Sequence, residues 1–158
     1  LTNLVVPFKF SDHTTRPLPS RSDLDLLMNN DGPDALCPTG SVRDLYLENS
    51  FGQLYLDSVV IDWVTIDFTE AYCAGGKSGT VLGFHECLSN ALDKAVEAGL
   101  DFRDFDINND GFVDVMTLLH SGYAAEFGGT DQYGTGTSGR IWSHKWVSGP
   151  TEKTLINS

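Results

Sequence analysis

The sequence has no apolar run of the roughly 18 residues that a membrane-spanning helix needs, and basic residues are scarce. Only 10 of its 158 residues are Lys or Arg, against 22 Asp or Glu, which gives a formal net charge of −12. Binding to a phosphate backbone is driven by basic side chains that displace counterions. These two shortages therefore predict that the protein binds neither a membrane nor a nucleic acid.

Cysteine is also scarce, and its number is odd. The three residues are Cys37, Cys73 and Cys87, which cannot all pair with one another. If the protein is extracellular, we expect a disulfide between two of them, with the third free or paired outside this sequence; the spacing does not choose the pair. The alternative is three reduced cysteines in an intracellular protein, with Cys87 a small apolar residue on a helix.

A complete zinc-peptidase motif is missing. His85-Glu86 begins like H-E-x-x-H, but Ser89 stands where the second histidine belongs. Two histidines four residues apart are needed to turn both imidazoles towards zinc from one helix face. No catalytic zinc site is therefore predicted within this sequence. The sequence does not decide whether His120 and His144 are functional or structural.

What the sequence does contain is enough apolar material for one ordinary domain, with 41% hydrophobic residues. The sequence begins with Leu1 rather than Met and shows no signal peptide, so we expect a processed or excised segment. Residues 4–10 predict a first strand, in which Pro7 indicates an edge position or a bulge. Residues 11–38 predict a long loop with one short helix. A second helix should begin at Ser41, where Ser41 and Asp44 resemble a capping box, with Val42, Leu45 and Tyr46 on one face.

Further along, residues 58–68 are apolar on both alternating faces, which is typical of a strand buried between two layers. Apolar residues at helical spacing predict a helix over residues 88–96, with Gly99 ending it. Residues 113–119 predict another buried strand, and residues 141–146 a last short one. This order predicts an α/β domain with a mixed twisted sheet and packed helices.

One loop places four oxygen-bearing side chains at alternate positions around a glycine. It reads Asp106-Ile107-Asn108-Asn109-Asp110-Gly111-Phe112-Val113-Asp114. Ca²⁺ takes oxygen ligands, and carboxylates held this close repel one another unless a cation lies between them. We therefore predict a calcium site formed by Asp106, Asn108, Asp110, the Phe112 carbonyl and Asp114. The loop is not an EF-hand, because Thr117 replaces the Glu at its twelfth position; the alternative is a polar turn without metal.

A second, weaker motif is Ala71-x4-Gly76-Lys77-Ser78, a permissive form of the phosphate-binding P-loop. It lies between a predicted strand and a predicted helix, as that motif requires. Its first position is Ala rather than Gly, and the helical pattern begins several residues late. A plain glycine-rich loop is the favoured interpretation, and a P-loop nucleotide hydrolase is kept as an alternative.

Four sequence blocks together resemble a known peptidase family. They are Asn49-Ser50-Phe51-Gly52-Gln53-Leu54, the 106–114 loop, His120-Ser121-Gly122 with Glu126 and Gly128-Gly129, and Ile141-Trp142-Ser143-His144. In this order they are similar to the immune inhibitor A-like secreted zinc metallopeptidases. The resemblance implies a zincin-like catalytic domain whose H-E-x-x-H helix follows the last block.

Because that helix is absent from the sequence, the resemblance makes residues 1–158 a single incomplete domain, the N-terminal half of a metallopeptidase-like catalytic domain. Zn²⁺ would then belong to the complete domain only, and no catalytic residue is assigned to this chain. The downstream half of the same domain is the expected partner within the protein.

In zincins of this kind, the edge strand before the zinc helix pairs with peptide substrate by strand addition. The resemblance therefore assigns substrate binding to Ile141, Trp142, Ser143 and His144. The alternative is that Trp142 and Trp146 face the core and that the strand touches no substrate.

Taken together, the sequence predicts a fragment of a secreted, calcium-stabilised zinc metalloendopeptidase that hydrolyses bonds in peptide or protein substrates. A second interpretation is a non-catalytic extracellular calcium-binding module that keeps the peptidase fold. The H-E-x-x-H motif distinguishes the two, and since this chain lacks it, whether the chain is part of an active enzyme is left open by the sequence.

Overall fold

The computed structural model describes residues 1–145, whose strands form one small parallel sheet. The strands are β1 (Thr2–Lys9), β2 (Asp57–Val60), β3 (Val64–Thr65) and β4 (Met116–His120). β1 pairs in parallel with each of the other three. The sheet expected to be mixed is therefore parallel among these residues, because helical crossovers between β1 and β2 and between β3 and β4 return the chain in the same direction.

β1 is the central strand. The Val5 carbonyl accepts a hydrogen bond from the Ile61 amide, beside β2, whereas the Leu4 amide donates to the Val115 carbonyl, beside β4. Successive residues of a strand point their backbone polar groups to opposite edges. β4 therefore lies on one side of β1, and β2 followed by β3 lies on the other.

Pro7 lies inside this central strand, not at an edge or a bulge. Its nitrogen carries no hydrogen and points to the same side as the backbone of Val5. That side is occupied by β2 up to Val60 and by β3 from Val64, with an interruption between them. The single strand expected over residues 58–68 is thus split where Pro7 has no hydrogen bond to give.

Within residues 1–145, four α-helices surround the sheet. They are α1 (Arg21–Asn29), α2 (Val42–Asn49), α3 (Glu70–Ala74) and α4 (Leu82–Glu97). The capping box expected at Ser41 and Asp44 is present, and the helix expected over residues 88–96 is confirmed as the greater part of α4. None of the helices within residues 1–145 is long and apolar enough to cross a membrane.

The buried face of α2 differs from the one expected. Leu45 and Tyr46 are 57% and 46% exposed, whereas Arg43 is buried. The Arg43 guanidinium donates to the Leu56 carbonyl at 3.1 Å and to Asp57 Oδ1 at 2.6 Å. α2 is therefore held against the start of β2 by hydrogen bonds and an ion pair, which an analysis of apolar spacing does not detect.

Apolar side chains pack on both faces of the sheet. On one face, Leu4, Val6 and Phe8 of β1 join the buried residues of α3 and α4 in the larger core. On the other face, Val5 packs with Leu24 and Met28 of α1 in a smaller core. β1 alternates between two cores and is almost fully buried, so the domain has three layers with helices on both sides of the sheet.

Candidate functional site

The predicted calcium loop is anchored at both ends. It follows a short 3₁₀ helix, Phe102–Phe105, whose two phenylalanines are buried in the larger core, and it leads into β4. The Asp114 amide donates to the Phe105 carbonyl at 3.3 Å, which closes the loop at its base. Its tight turn needs a left-handed backbone, which Asn109 (φ 57°) and Gly111 (φ 89°) adopt.

Inside the loop, side-chain oxygens accept hydrogen bonds from the loop's own amides. Asp106 accepts from the Asp110 and Gly111 amides, at 3.0 and 2.9 Å. Asp110 Oδ1 accepts from the Phe112 amide at 3.0 Å. The acidic side chains thereby hold the turn, and part of their oxygen complement is engaged by the backbone.

Two other carboxylate oxygens converge. Asp110 Oδ2 and Asp114 Oδ1 each lie 3.3 Å from the Asn108 side-chain nitrogen. An amide N–H₂ carries partial positive charge, so it occupies the position where a cation would relieve the repulsion between the carboxylates. Thr117, at the twelfth position, is not in the loop; its hydroxyl donates to Asn3 Oδ1 within the sheet.

The 141–144 segment is not a strand, and neither is residue 145; Trp146 lies outside the described residues. Ile141 is 2% exposed, whereas Trp142 is 50% exposed. The Ile141 carbonyl accepts from the Ala125 amide at 2.8 Å, and the Trp142 amide donates to the Ser78 carbonyl at 2.9 Å. Because adjacent residues of the segment bind two different loops, neither loop forms a continuous ladder with it.

Glu126 fixes the next residue of the segment. Its carboxylate accepts from the Ser143 amide at 3.2 Å and from the Ser143 hydroxyl. These hydrogen bonds, the hydroxyl's first, hold the pKa of Glu126 below its usual range. Of the four residues assigned to substrate by resemblance, the structure therefore buries Ile141 and leaves the side chains of Trp142, Ser143 and His144 at the surface.

A buried polar cluster that sequence reasoning did not find lies at the carboxyl end of the sheet. The His13 imidazole contacts the Ser121 hydroxyl through Nδ1 at 2.8 Å and the Glu70 carboxylate through Nε2 at 3.2 Å. Glu70 also lies 3.6 Å from the Arg16 guanidinium. His13 and Glu70 are 1% and 2% exposed.

The order hydroxyl, imidazole, carboxylate is the one that activates serine in hydrolases. In this protein the Ser121 oxygen also accepts from the Phe10 amide at 3.2 Å, and the imidazole and carboxylate are buried. The cluster therefore ties together the chain segments that follow β1, β3 and β4. A signal for it was available, because the carboxyl ends of parallel strands meet at one edge; the expectation of a mixed sheet concealed it.

His120 ends β4 beside this cluster, and its ring contacts the rings of Phe8 and Phe10 at centroid distances of 6.3 and 5.8 Å. Burial lowers the pKa of its imidazole to about 4, with Glu126 opposing the shift. His120 is therefore neutral at physiological pH, and its Nδ1 accepts a hydrogen bond from the Gly122 amide at 3.2 Å. This hydrogen bond links the end of β4 to the loop that follows it.

The cysteines form the single bridge expected for an extracellular protein. Cys73 of α3 is bonded to Cys87 of α4, while Cys37 is free and buried. The disulfide joins two neighbouring helices within the same core, since both cysteines lie in the larger apolar cluster.

The P-loop alternative does not fit this geometry. Ala71 lies within α3, and α4 begins only at Leu82, so Lys77 and Ser78 do not open a helix whose amides could cradle a phosphate. The Ser78 hydroxyl instead donates to the Thr137 carbonyl at 2.9 Å. The motif is a glycine-rich turn.

Among residues 1–145, no group of three or more His, Cys, Asp or Glu side chains is arranged to hold a metal ion. The described residues therefore do not fit a catalytic zinc. In the 106–114 loop, the carboxylate of Asp106 is turned to backbone amides, so only two of the three carboxylates converge.

Comparison with known proteins shows which family the chain is similar to. The family model described as "Immune inhibitor A peptidase M6, catalytic domain" matches residues 25–156. The curated protein "Immune inhibitor A" of Bacillus thuringiensis subsp. alesti is 29% identical over 126 residues, covering 68% of this chain and 18% of that protein. The chain thus spans less than a fifth of this relative's length. Because the family match extends over more than half of the chain, the chain belongs to the immune inhibitor A peptidase M6 family.

Proposed function

We propose that these residues form part of the catalytic domain of a zinc metalloendopeptidase that hydrolyses bonds in peptide or protein substrates. The observation that carries the proposal is the match to the catalytic-domain family over residues 25–156. The parallel sheet with helices on both faces is a scaffold compatible with a peptidase domain. Whole-protein activity is proposed, since the related protein is several times longer than this chain.

In this proposal the zinc ligands lie outside residues 1–158. These residues contain no H-E-x-x-H, and the described ones among them do not fit zinc. In this proposal the chain supplies the sheet and its loops, the zincin-like N-terminal half of the domain, and another part of the same protein supplies the metal ligands and the catalytic glutamate.

Calcium is proposed as a stabilising ion of the 106–114 loop. The support is the approach of Asp110 Oδ2 and Asp114 Oδ1 to one point, now occupied by the Asn108 amide nitrogen. The Asn108 side-chain oxygen now accepts a hydrogen bond from the Asp110 amide at 2.9 Å. Rotation of the side-chain amide by half a turn would break this bond and present the oxygen instead, which is the hard ligand that Ca²⁺ prefers. Asp106 and the Phe112 carbonyl complete the proposed set, once Asp106 exchanges its amide partners for the ion.

Substrate contact is proposed at the surface of the 141–144 segment. Trp142 is half exposed, and Glu126 holds Ser143 in place, so an exposed aromatic and an exposed histidine stand on a fixed backbone. Ile141 is buried and acts as the anchor of the segment. The proposed contact is through these side chains, because the backbone already bonds to Ala125 and Ser78.

An extracellular location is also part of the proposal. The Cys73–Cys87 disulfide is typical of oxidising compartments, and the acidic net charge of −12 suits a medium rich in calcium. Thiol mapping under non-reducing conditions, on protein collected from the growth medium, tests the disulfide and the extracellular location together.

The experiment that tests the proposed activity uses the complete natural protein. Casein cleavage that is abolished by a zinc chelator and restored by zinc, but not by calcium alone, is the expected result. If the complete protein contains no H-E-x-x-H and cleaves nothing in the presence of zinc, the non-catalytic extracellular module is correct instead.

A further inference from the structure

The loop after β4 is fastened to the 141–144 segment by two adjacent residues. The Ala125 amide donates to the Ile141 carbonyl at 2.8 Å, and both residues are buried. The Glu126 carboxylate accepts from the Ser143 amide at 3.2 Å and from the Ser143 hydroxyl. Successive residues of the loop therefore bond to alternate residues of the segment, which holds the two stretches of chain side by side.

A buried arginine fastens the same loop two residues further on. Arg140 is 2% exposed, and its Nη2 donates to the Gly128 carbonyl at 2.7 Å and to the Gly129 carbonyl at 3.0 Å. Gly128 has φ 69° and ψ −176°, a conformation that is essentially restricted to glycine. This backbone turns two successive carbonyls to one guanidinium, so charge-assisted hydrogen bonds fix the loop at this point as well.

Phe127 lies between these two attachments, and its side chain is 82% exposed. Within residues 1–145 it therefore adds little apolar burial to the fold. Trp142, half exposed, lies between the two residues of the segment that bond to the loop. The two aromatic side chains are thus presented to solvent from neighbouring stretches of fixed backbone.

We propose that Phe127 is a specificity-determining residue, which contacts an apolar side chain of the peptide substrate beside Trp142. Glu126 and Arg140 are positioning residues that hold the backbone of Phe127 in place. The inference rests on the proposed peptidase function and adds a substrate class to it: peptides that carry a large apolar side chain, such as Leu or Phe, at one position relative to the cleaved bond.

Substrate is favoured as the occupant because Phe127 is continuous with the 141–144 segment, for which substrate contact is proposed. A ring on a fixed backbone has little conformational freedom to lose on binding, and the burial of its apolar area strengthens the contact. The hydrogen bonds of Glu126 and Arg140 supply this rigidity without burying the ring itself. The arrangement is therefore that of a preorganised contact surface.

The selectivity of peptide cleavage tests this in the complete natural protein. Fluorogenic peptides that differ only in Leu or Ala at each position in turn give the ratio of kcat/KM for Leu over Ala. Phe127→Ala should lower this ratio about tenfold at one position, the loss expected for an apolar contact. Phe51→Ala is the matched control, since Phe51 is 92% exposed just after α2, and it should leave every ratio unchanged.

Two variants of Glu126 test its positioning role. Glu126→Ala removes both hydrogen bonds to Ser143 and should lower the same ratio by about threefold or more. Glu126→Gln, whose amide oxygen still accepts from Ser143, should keep most of it. Loss of folded enzyme lowers cleavage of both peptides equally, so it does not change the ratio.

Three outcomes overturn the inference. Unchanged ratios in Phe127→Ala overturn it and leave the proposed function in place. A melting temperature that falls in Phe127→Ala but not in Phe51→Ala also overturns it, because Phe127 is then covered by another part of the protein. A complete protein that cleaves no peptide in the presence of zinc contradicts the proposed function, and this inference is rejected with it.

Discussion

At the scale of single residues, the first prediction concerns Asp110 and Asp114. If their converging oxygens bind Ca²⁺, the ion stabilises the folded state by about 2.7 kcal/mol at a free concentration 100 times its Kd. Millimolar calcium should therefore raise the melting temperature relative to EDTA, and Asp114→Asn should remove most of the increase.

The matched control is Asp104→Asn, which removes the same charge from the preceding 3₁₀ helix and should keep the calcium response. Differential scanning fluorimetry makes the comparison. Equal melting temperatures in EDTA and calcium for the unmodified protein would show that the loop is a polar turn without metal.

His120 makes stability depend on pH. Its folded pKa is about 4, against an ordinary value of 6.5, so between these values the unfolded chain binds a proton that the folded protein refuses. Stability from this group is therefore complete above about pH 6.5 and falls as the pH drops towards 4, by up to about 3 kcal/mol. The groups that act on it are Glu126, which favours protonation, and His13 and His144, which oppose it.

Urea unfolding of the His120→Gln variant measures this contribution. The decline in stability between pH 6.5 and 4.5 should be smaller than in the unmodified protein. An imidazole of His120 that titrates near 6.5 by NMR would contradict the prediction.

Gly122 has no room for a side chain. A Cβ there would overlap Glu70 Oε1 and lie 2.9 Å from the carboxyl carbon, and Glu70 cannot retreat because it is buried against His13 and Arg16. Gly122→Ala should destabilise the protein by about 1–3 kcal/mol through overpacking. Gly83→Ala, in helix α4 with nothing within 4 Å, should instead stabilise it by a fraction of a kcal/mol; chemical denaturation of the two variants decides.

At the scale of elements, the Cys73–Cys87 disulfide joins α3 to α4 across 14 residues of sequence. Closing a loop of this size stabilises the folded state by about 3 kcal/mol through the unfolded chain. The Cys73→Ala/Cys87→Ala double variant should therefore unfold at a lower denaturant concentration by that amount, and the reducing agent that destabilises the unmodified protein should not affect it. Insensitivity of both proteins to reduction would show that the bridge does not form.

Elements defined by local chemistry were predictable from sequence. The capping box of Ser41 and Asp44 and the apolar repeat of α4 depend only on near neighbours, and both are found. Elements that depend on distant partners could not be predicted from the sequence. The division of residues 58–68 into β2 and β3 follows from Pro7 on another strand, and the 141–145 segment bonds to two loops that no spacing rule connects.

The candidate sites also differ in whether the sequence could predict them. The 106–114 loop could be recognised because its ligand residues are close in sequence. The His13, Glu70 and Ser121 cluster was missed, because its members are separated by more than 50 residues and meet only through the parallel order of the sheet, which was expected to be mixed. Burial of Arg43 was missed for a related reason, since its guanidinium donates to Asn29 Oδ1 of α1 and to Asp57 Oδ1 of β2, which apolar spacing does not detect.

At the scale of the whole molecule, the chain lacks the zinc motif that the proposed activity requires. It offers a sheet, an anchored surface segment and an acidic loop, while two imidazoles four residues apart with a glutamate between them are missing from its sequence. We therefore expect residues 1–158, expressed alone, to cleave no casein and to bind no zinc in a one-to-one complex, because scattered single histidines cannot supply three protein ligands with an open water position.

The same protein should also associate through exposed apolar surface, since β4 pairs with β1 alone among the described residues and its Met116 and Leu118 are half-buried. Light scattering, zinc analysis after dialysis and a casein assay on one preparation measure the three properties together. Soluble monomers with chelator-sensitive cleavage would place the zinc site within residues 1–158 after all. Soluble, inactive monomers would keep the zinc prediction and contradict the expected association, so the two predictions are tested separately.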